Sequence, residues 1–515
     1  MSLVGTGVIF GCVWAVYWLW KVGSREPGLP PGPPTKPLIG NTLDFPTRAI
    51  YKRFTEWANT YGDIISLKIG FSSVIILSSP EMVRELLDKR SVTTANRPPV
   101  HFVDLITDDH SVGFIDYGVR YKNMRRALLA ILNREACVEH LPIQQAEASQ
   151  LMYDLLKQPE AYFTHVERFS VSSIFSIIFG VRCPRHESPL VQTFFKLEEE
   201  WEDLLAPGHQ PPVDMLPFLR YIPERWAPWK ASCESRMQRE AHNGSFIEHL
   251  LQEREKYGLT RKEVAYLGSG LIQGGSTTTT AFLRTLMCCL ATHGEVQARA
   301  HDEIDRIIGP GRIPTIEDVQ HLPYLQAIIK EVHRFCPSVP YAVPHYSTAE
   351  ETIGGYTIPK NSTIFMNIYG IYHSEIAYTQ PSEFMPERFI QTEFGTVAGA
   401  DDSSRRNDLH FGAGRRICPG MLLGNNATTL AALNLIWGFD FRVAKDAQTA
   451  REMHVDPNTF TESFIISCAK FPADIRPRSE IHSSLIRAQY SSSRAFFHHF
   501  EQELSPEDKA FVETW

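Results

Sequence analysis

The chain has 515 residues, 43% hydrophobic and 21% charged, the proportions of an ordinary globular protein. Its formal net charge is −8, so no nucleic-acid partner is expected. Nine scattered cysteines, with no Cys-x-x-Cys pair and no zinc spacing, argue against a disulfide framework and fit a reducing compartment.

Met1 to Trp20 carries no charged side chain, and Trp14, Tyr17, Trp18 and Trp20 crowd its far end. As a helix, about 20 residues span roughly 30 Å, a bilayer core, and tryptophan and tyrosine favour its interface. Lys21 and Arg25 follow, which puts the remainder on the cytosolic side. A cleaved signal peptide would begin with a positive segment, and none precedes the apolar run. Residues 1–22 therefore predict one retained transmembrane signal-anchor. Pro27, Pro30, Pro31, Pro33, Pro34 and Pro37 follow, and proline fixes φ. Residues 23–41 thus predict a semi-rigid, proline-rich hinge. The Asn-x-Ser/Thr triplets at Asn243, Asn361 and Asn426 would then face the cytosol and stay unglycosylated.

Residues 42–480 predict one catalytic domain, with no long low-complexity linker and no internal repeat. Asp63 to Ile69 and Ser73 to Ser78 are β-rich runs joined near Gly70, a hairpin signal. Pro80 to Arg90 reads as a short helix. Arg97 to Gly118 has poor periodicity and many turn formers. It predicts a loop exposing Phe102, Val103, Leu105 and Ile106, of the kind that often lines a ligand pocket. Tyr121 opens a helix that also carries Arg125. Helical periods dominate from Gln145 to Leu205. Pro207 to Pro228 then mixes prolines with Val213, Met215, Leu216, Phe218, Leu219 and Trp226, which suits an access region for a substrate arriving from lipid.

Thr260-Arg261-Lys262-Glu263 is a capping box. The helix it opens can run to about His293, roughly 50 Å at about 1.5 Å per residue. Gly268, Gly270, Gly274 and Gly275 lie in its middle, each costing about 1 kcal/mol against alanine. Close approach of a ligand, or a deliberate distortion, is expected there. Thr278 can bond the Gly274 carbonyl four residues back and bend the helix. On a later helix Leu325, Ile328, Ile329 and Val332 form a helical stripe. Glu331 and Arg334, three apart on it, face each other. Prolines force an extended path from Pro337 to His345. Beyond about Arg478 the chain is polar. Residues 481–515 predict a tail, helical at Ser505 to Trp515, to which no function is assigned.

Between these lies Phe411-Gly412-Ala413-Gly414-Arg415-Arg416-Ile417-Cys418-Pro419-Gly420. A loop so rich in glycine brings backbone close to a flat ligand. It feeds a helix N-terminus, which favours an anion. A thiolate is such an anion and one of the few ligands that hold heme iron. Arg416 can pair with a carboxylate, as heme propionates require. The order Phe-x-x-Gly-x-Arg-x-Cys-x-Gly resembles the heme-thiolate signature of the cytochrome P450 superfamily. Glu331-x-x-Arg334, the run Phe384-Met385-Pro386-Glu387-Arg388-Phe389 and the threonine-rich helix extend the likeness over most of the chain. The sequence is similar to microsomal monooxygenases of that family, with a fungal flavour around the motifs.

The resemblance implies a mainly α fold with a small β-rich lobe near the N-terminus, preceded by the one transmembrane helix. It implies heme b with Cys418 as axial iron ligand, in a loop that includes Phe411, Gly414 and Gly420. It puts Arg416, Arg125, Tyr121 and His345 at the propionates, Tyr121 standing where the family has tryptophan. Arg388 is expected to join Glu331 and Arg334 in a buried structural triad. Phe102, Leu105, Leu271, Val343 and Phe464 are the expected substrate pocket. Electrons would come from NADPH through a separate flavin-bearing NADPH–cytochrome P450 reductase, with cytochrome b5 as a second donor. Dioxygen, an apolar small molecule and membrane lipid are the other partners. The expected location is the endoplasmic reticulum membrane, single-pass, with the catalytic domain cytosolic.

The family's oxygen groove reads Gly-Gly-x-Asp/Glu-Thr-Thr. Here Gly274 to Thr279 align with it, so Thr277 occupies the acid position and Thr278 the threonine that steadies bound dioxygen. A threonine is no acid at neutral pH. Hydroxyls and water, or another side chain, must relay protons. The expected reaction is hydroxylation or epoxidation in secondary-metabolite biosynthesis, on a terpenoid or polyketide intermediate. The alternative is an isomerase or dehydratase, or a desaturase or oxidative-coupling enzyme.

Overall fold

Helix α1 (Ile50–Tyr61) buries Ile50, Tyr51, Phe54 and Trp57. It leads into an antiparallel hairpin of β1 (Ile64–Ile69) and β2 (Ser72–Leu77), whose isoleucines and valine fill paired positions. Gly70 turns the hairpin at a positive φ of 55°. The computed structural model describes residues 14, 23–205, 221, 246–446 and 449–515. The expected anchor, Trp14 apart, and the proline-dense access region, Tyr221 apart, lie outside the described residues. Among the described residues no helix is long and apolar enough to cross a membrane.

The segment expected to be a spacer is fastened to the sheet. The Pro31 carbonyl accepts from Ser66 N at 2.8 Å, and Asn41 Nδ2 donates to the Pro34 carbonyl at 2.9 Å. Lys68 Nζ pairs with Glu26 at 2.6 Å. Prolines keep their carbonyls free of helix, and β1 uses them.

Most of the mass is helical. In order come α2 (His101–Thr107), α3 (Val119–Leu132), α4 (Leu141–Lys157), α5 (Tyr162–Phe179), α6 (Pro189–Leu205) and α7 (Phe246–Tyr257). Then come α8 (Arg261–Thr292), α9 (Gly294–Ile307) and α10 (Pro323–Phe335). The chain returns to the sheet with β3 (His345–Tyr346), a separate hairpin of β4 (Glu351–Ile353) and β5 (Tyr356–Ile358), and β6 (Thr363–Met366). The main sheet has the order β1-β2-β6-β3. Helix α11 (Met421–Gly438), a hairpin of β7 (Phe439–Val443) and β8 (Ala473–Pro477), and helices α12 (Glu480–Phe497) and α13 (Pro506–Thr514) complete the fold.

Helix α8 is the axis. Thr260 caps it reciprocally with Glu263, and it runs 32 residues without a break. It packs on α5, α7, α10 and α11. Helix α11 is buried almost all round from Leu430 to Gly438, as a helix apolar on every side must be.

Two expectations are corrected. The stretch from Arg97 to Gly118 is not loop throughout. It contains α2, which buries Phe102, Val103 and Ile106 and leaves Leu105 exposed. Its Val100 N-cap makes no side-chain bond, so the sequence gives no start signal. The polar tail, expected to be helical at Ser505 to Trp515, also carries a helix before that stretch. Helix α12 buries Ile486, Tyr490, Ser493 and Phe497 at helical spacing against α4. Tyr490 stacks on Tyr153 with ring centroids 4.2 Å apart. Trp515 Nε1 donates to Asp154 at 3.0 Å, and Tyr153 donates to the Trp515 carbonyl at 3.1 Å.

Beneath the tail lies a buried charge network. Arg168 pairs with Glu147 at 2.5 Å and Asp154 at 3.0 Å, and Arg182 with Glu147 at 3.2 Å and Glu501 at 2.5 Å. Removing one partner leaves others charged and desolvated. Arg168→Ala is expected to cost about 3–5 kcal/mol of stability, read from the denaturant midpoint of the full chain. A loss under about 1 kcal/mol would mean the network is not compensating these charges.

Candidate active site

The cysteine loop is built from two single turns and two strained glycines. Leu409–Phe411 and Gly414–Arg416 each form one tight turn. Between them Gly412 has φ 91°, and Gly414 has φ 57°. A Cβ at Gly414 would lie 2.0 Å from the Leu87 carbonyl, so only glycine seats here. Asp88 holds the loop by accepting from Gly414 N at 2.7 Å. Arg406 donates to the Gly412 carbonyl. Cys418 N donates back to the Phe411 carbonyl at 2.9 Å, and α11 begins three residues later.

Burial pushes the Cys418 thiol above its ordinary range, while the Gly420 N–H and the charge of Arg125 pull it back. The protein alone therefore favours the thiol. A cation opposite the sulfur would shift the balance to thiolate, as a heme iron does.

Beside this loop the fold gathers cations that no carboxylate pairs with directly among the described residues, although the charge of Asp116 reaches Arg416. Arg416 is buried and donates to the Ala95 carbonyl at 2.7 Å and the Ile115 carbonyl at 2.6 Å. Its guanidinium lies 3.8 Å over the Tyr121 ring. Arg125 donates to the Ile417 carbonyl at 2.8 Å, directly before the cysteine. His345 donates from Nδ1 to the Thr94 carbonyl at 2.9 Å. Burial, then Arg97 and Arg416, pull His345 down to about 3, so it is neutral here.

Sequence reasoning missed the fourth member, Arg97. It is buried and donates to the carbonyls of Gly113 at 2.8 Å, Val343 at 2.8 Å and Pro344 at 2.7 Å. Burial, and next the charge of Arg416, pull it down to about 9. Neither Arg97, Arg125 nor Arg416 forms an ion pair among the described residues. Three buried or half-buried guanidinium groups held by carbonyls and by Tyr121, with no direct ion pair, leave positive charge incompletely compensated. A ligand bearing two carboxylates would compensate it, and heme has two. The residues present thus fit the group.

Tyr121 sits among them differently from expectation. Its hydroxyl donates to the Arg415 carbonyl at 3.1 Å and accepts from Arg125 at 3.1 Å. Its one proton is committed to the loop, so it positions arginines rather than offering a bond to an anion.

On the far side α8 presents its threonines. Thr278 donates to the Gly274 carbonyl at 2.7 Å, and Thr277 to the Gln273 carbonyl at 2.9 Å. The helix stays continuous despite both bonds. The four glycines divide by cause. A Cβ at Gly275 would meet Ile174 at 2.6 Å, and one at Gly268 would meet Ile247 at 2.9 Å, so these two permit helix packing. Gly270 has Val112 at 3.6 Å, while a Cβ at Gly274 would meet nothing within 4 Å. Gly274 alone opens onto space, one turn before Thr278.

Behind the site Glu331 accepts from Arg334 at 2.7 and 2.9 Å and from Arg388 at 3.2 Å. The Met385 N–H adds a fourth bond at 2.8 Å. All three side chains are buried. Arg334 also donates to the carbonyls of Tyr372 and Pro381, so the network fixes residues 372–388 against α10. Among the expected pocket residues, Phe102 is buried, whereas Leu271 and Val343 are half-buried. Phe464 packs on Tyr341 with centroids 5.5 Å apart.

Comparison with known proteins identifies the family. The family model described as Cytochrome P450 matches residues 30–460. A cytochrome P450 monooxygenase of Armillaria gallica is 43% identical over 503 residues, covering 95% of this chain and 96% of its own. Another, from Arthrobotrys oligospora, is 35% identical over 94% of this chain and 95% of its own. The monooxygenase yanC of Aspergillus niger is 32% identical over 96% and 97%. Among solved structures, a zebrafish cytochrome P450 with abiraterone superposes with a TM-score of 0.65 at 22% identity, over 83% of this chain and all of that one, a likeness of fold. The chain belongs to the cytochrome P450 family, oxidoreductases that use heme b and draw electrons from a separate reductase.

Proposed function

We propose that this chain is a membrane-anchored heme-thiolate monooxygenase that inserts one oxygen atom from dioxygen into an apolar small molecule, by hydroxylation or epoxidation. The observation that carries the reading is the group of Arg97, Arg125 and Arg416 beside the Cys418 loop, none in an ion pair among the described residues. Cys418 would hold the iron and Arg97, Arg416 and His345 would bind the propionates, while Arg125 and Tyr121 hold the loop. Glu331, Arg334 and Arg388 keep the fold around the heme and take no part in the chemistry. Heme b, when bound, supplies dioxygen activation with electrons from NADPH.

The remaining work falls to the chain. The Gly420 N–H and the Arg125 charge stabilise negative sulfur. The Thr278 hydroxyl stands beside the open space at Gly274 and holds a proton there. Thr277 adds a second hydroxyl. No carboxyl side chain occurs from Leu271 to Thr280, so within this turn itself hydroxyls and water are the groups left to carry protons.

The uncharged N-terminal run, with Lys21 and Arg25 after it, supports a single-pass anchor in the endoplasmic reticulum membrane and a cytosolic catalytic domain. NADPH–cytochrome P450 reductase is then the electron donor, with cytochrome b5 as an accessory. Fungal monooxygenases as relatives support a secondary-metabolite substrate, of terpenoid or polyketide type. Thr277 in the acid position favours a second reading, an isomerase or dehydratase needing no reductase.

One experiment separates them. Membranes holding the chain and a reductase receive extract from a strain lacking the gene, with NADPH and isotopically heavy dioxygen. A product gaining one heavy oxygen is expected. Conversion without NADPH would overturn the monooxygenase reading. Thr278→Ala is expected to raise peroxide released per NADPH severalfold, and unchanged coupling would remove Thr278 from the mechanism. Arg97→Leu is expected to weaken heme retention by about 2 kcal/mol, roughly thirtyfold, measured as transfer of heme to apomyoglobin. Transfer at the wild-type rate would show that Arg97 does not meet a propionate.

A further inference from the structure

The inward stripe of α6 contains a residue that helix periodicity does not explain. It runs through Val191, Phe194 and Phe195 and continues to Glu198 at the next helical step. Leu197 beside it is exposed, while Glu198 is half-buried. The apolar and acidic side chains are thus exchanged relative to what burial alone favours. No cation pairs with Glu198 among the described residues. The bond it makes is to α8, where Gln273 Nε2 donates to Oε1 at 3.0 Å. Its second oxygen has no partner among the described residues.

The position of this pair matters. Gln273 adjoins Gly274, where the open space begins, and the Thr277 hydroxyl rests on the Gln273 carbonyl. Farther along α6, Trp201 meets the Phe114 ring at 6.1 Å. The charge of Glu202 reaches Tyr341, the residue that packs on Phe464. Helix α6 therefore roofs the space above the threonine turn, and a carboxyl stands in the roof. A polar group buried without its full hydrogen bonds costs stability. Such a group in a ligand space is the kind that fixes orientation and specificity.

We propose that Glu198, held by Gln273, is the specificity-determining polar contact of the substrate pocket and reads a hydroxyl on an otherwise apolar substrate. The proposal rests on the heme-thiolate reading above and names its substrate class: a small molecule that is already oxygenated. Its hydroxyl bonds at the roof while the carbon to be attacked faces Thr278. Burial pushes Glu198 up to about 7, so at neutral pH it accepts when ionised and also donates when protonated. A site built to bond a hydroxyl discriminates strongly against an analogue lacking one, because its own polar groups are then stranded.

The test uses the full-length holoprotein and two probe series, N-alkylimidazoles and N-(ω-hydroxyalkyl)imidazoles of matched, graded chain length. The imidazole binds the iron and the chain extends towards the roof, so affinity is read from the Soret shift. At the length that reaches Glu198, the hydroxyl-ended probe is expected to bind about tenfold more tightly than its methyl-ended partner. Glu198→Leu is expected to abolish that preference, and Glu198→Gln, which still accepts, to keep part of it. Gln273→Leu offers a second route to the same loss if Glu198→Leu does not fold. No preference at any length in the wild type, or a preference intact in Glu198→Leu, would overturn the proposal. The reduced carbon monoxide complex reports thiolate ligation separately. Absence of its red-shifted band in the wild type would overturn the heme-thiolate reading itself, and the proposal with it.

Discussion

Arginine-to-carbonyl bonds hold the walls of the active site together. Arg97 ties the segment before α2 to the residues around Gly113 and to the extended path into β3. Arg416 ties the cysteine loop to Ala95 and Ile115, and Arg125 ties α3 to the same loop. Five chain segments, drawn from residues 95–132, 343–344 and 415–417, meet through three guanidinium groups. Carbonyl dipoles satisfy the geometry of each donor but cannot cancel its charge. The site is therefore assembled around a deficit of negative charge, and that deficit selects the ligand.

The same chain handles charge in the opposite way elsewhere. Glu147, Asp154 and Glu501 pair directly with Arg168 and Arg182, and Glu331 pairs directly with Arg334 and Arg388. These two networks are closed, and their work is to fix helices against loops. The cations at the heme seat are open. Burial is similar in all three places, so a directly paired carboxylate, not depth, separates scaffold from site among the described residues.

What could be read from the sequence was local. The cysteine loop, the Thr260–Glu263 box and the Glu331–Arg334 pair each complete their pattern within a few residues, and the structure forms each of them, the box as the N-terminal cap of α8. Arg97 was hidden because its partners include Val343 and Pro344, brought near only by the fold. Glu198 was hidden inside the acidic run Glu198-Glu199-Glu200, where charge outweighs helical spacing. The helix glycines suggest close approach of a ligand or a deliberate distortion, yet Gly268 and Gly275 yield to Ile247 and Ile174 on neighbouring helices. Close packing and close ligand approach leave the same mark in one dimension. Helix α12 escaped notice because serines and a histidine fill much of its buried face.

The clamp of α12 and α13 on α4 has a consequence for biogenesis. Arg182 and Glu501 are 319 residues apart, and Tyr153 and Trp515 are 362 apart. At roughly 5–20 residues per second, synthesis of the intervening chain takes on the order of 16–64 s. Through that interval the helices bearing Glu147 and Arg168 are already made, yet the elements that cover them do not exist. Contacts of such long sequence separation also form slowly once possible. The half-made domain thus carries an unsealed seam that holding chaperones can recognise, and its closure is a late event in the life of each molecule.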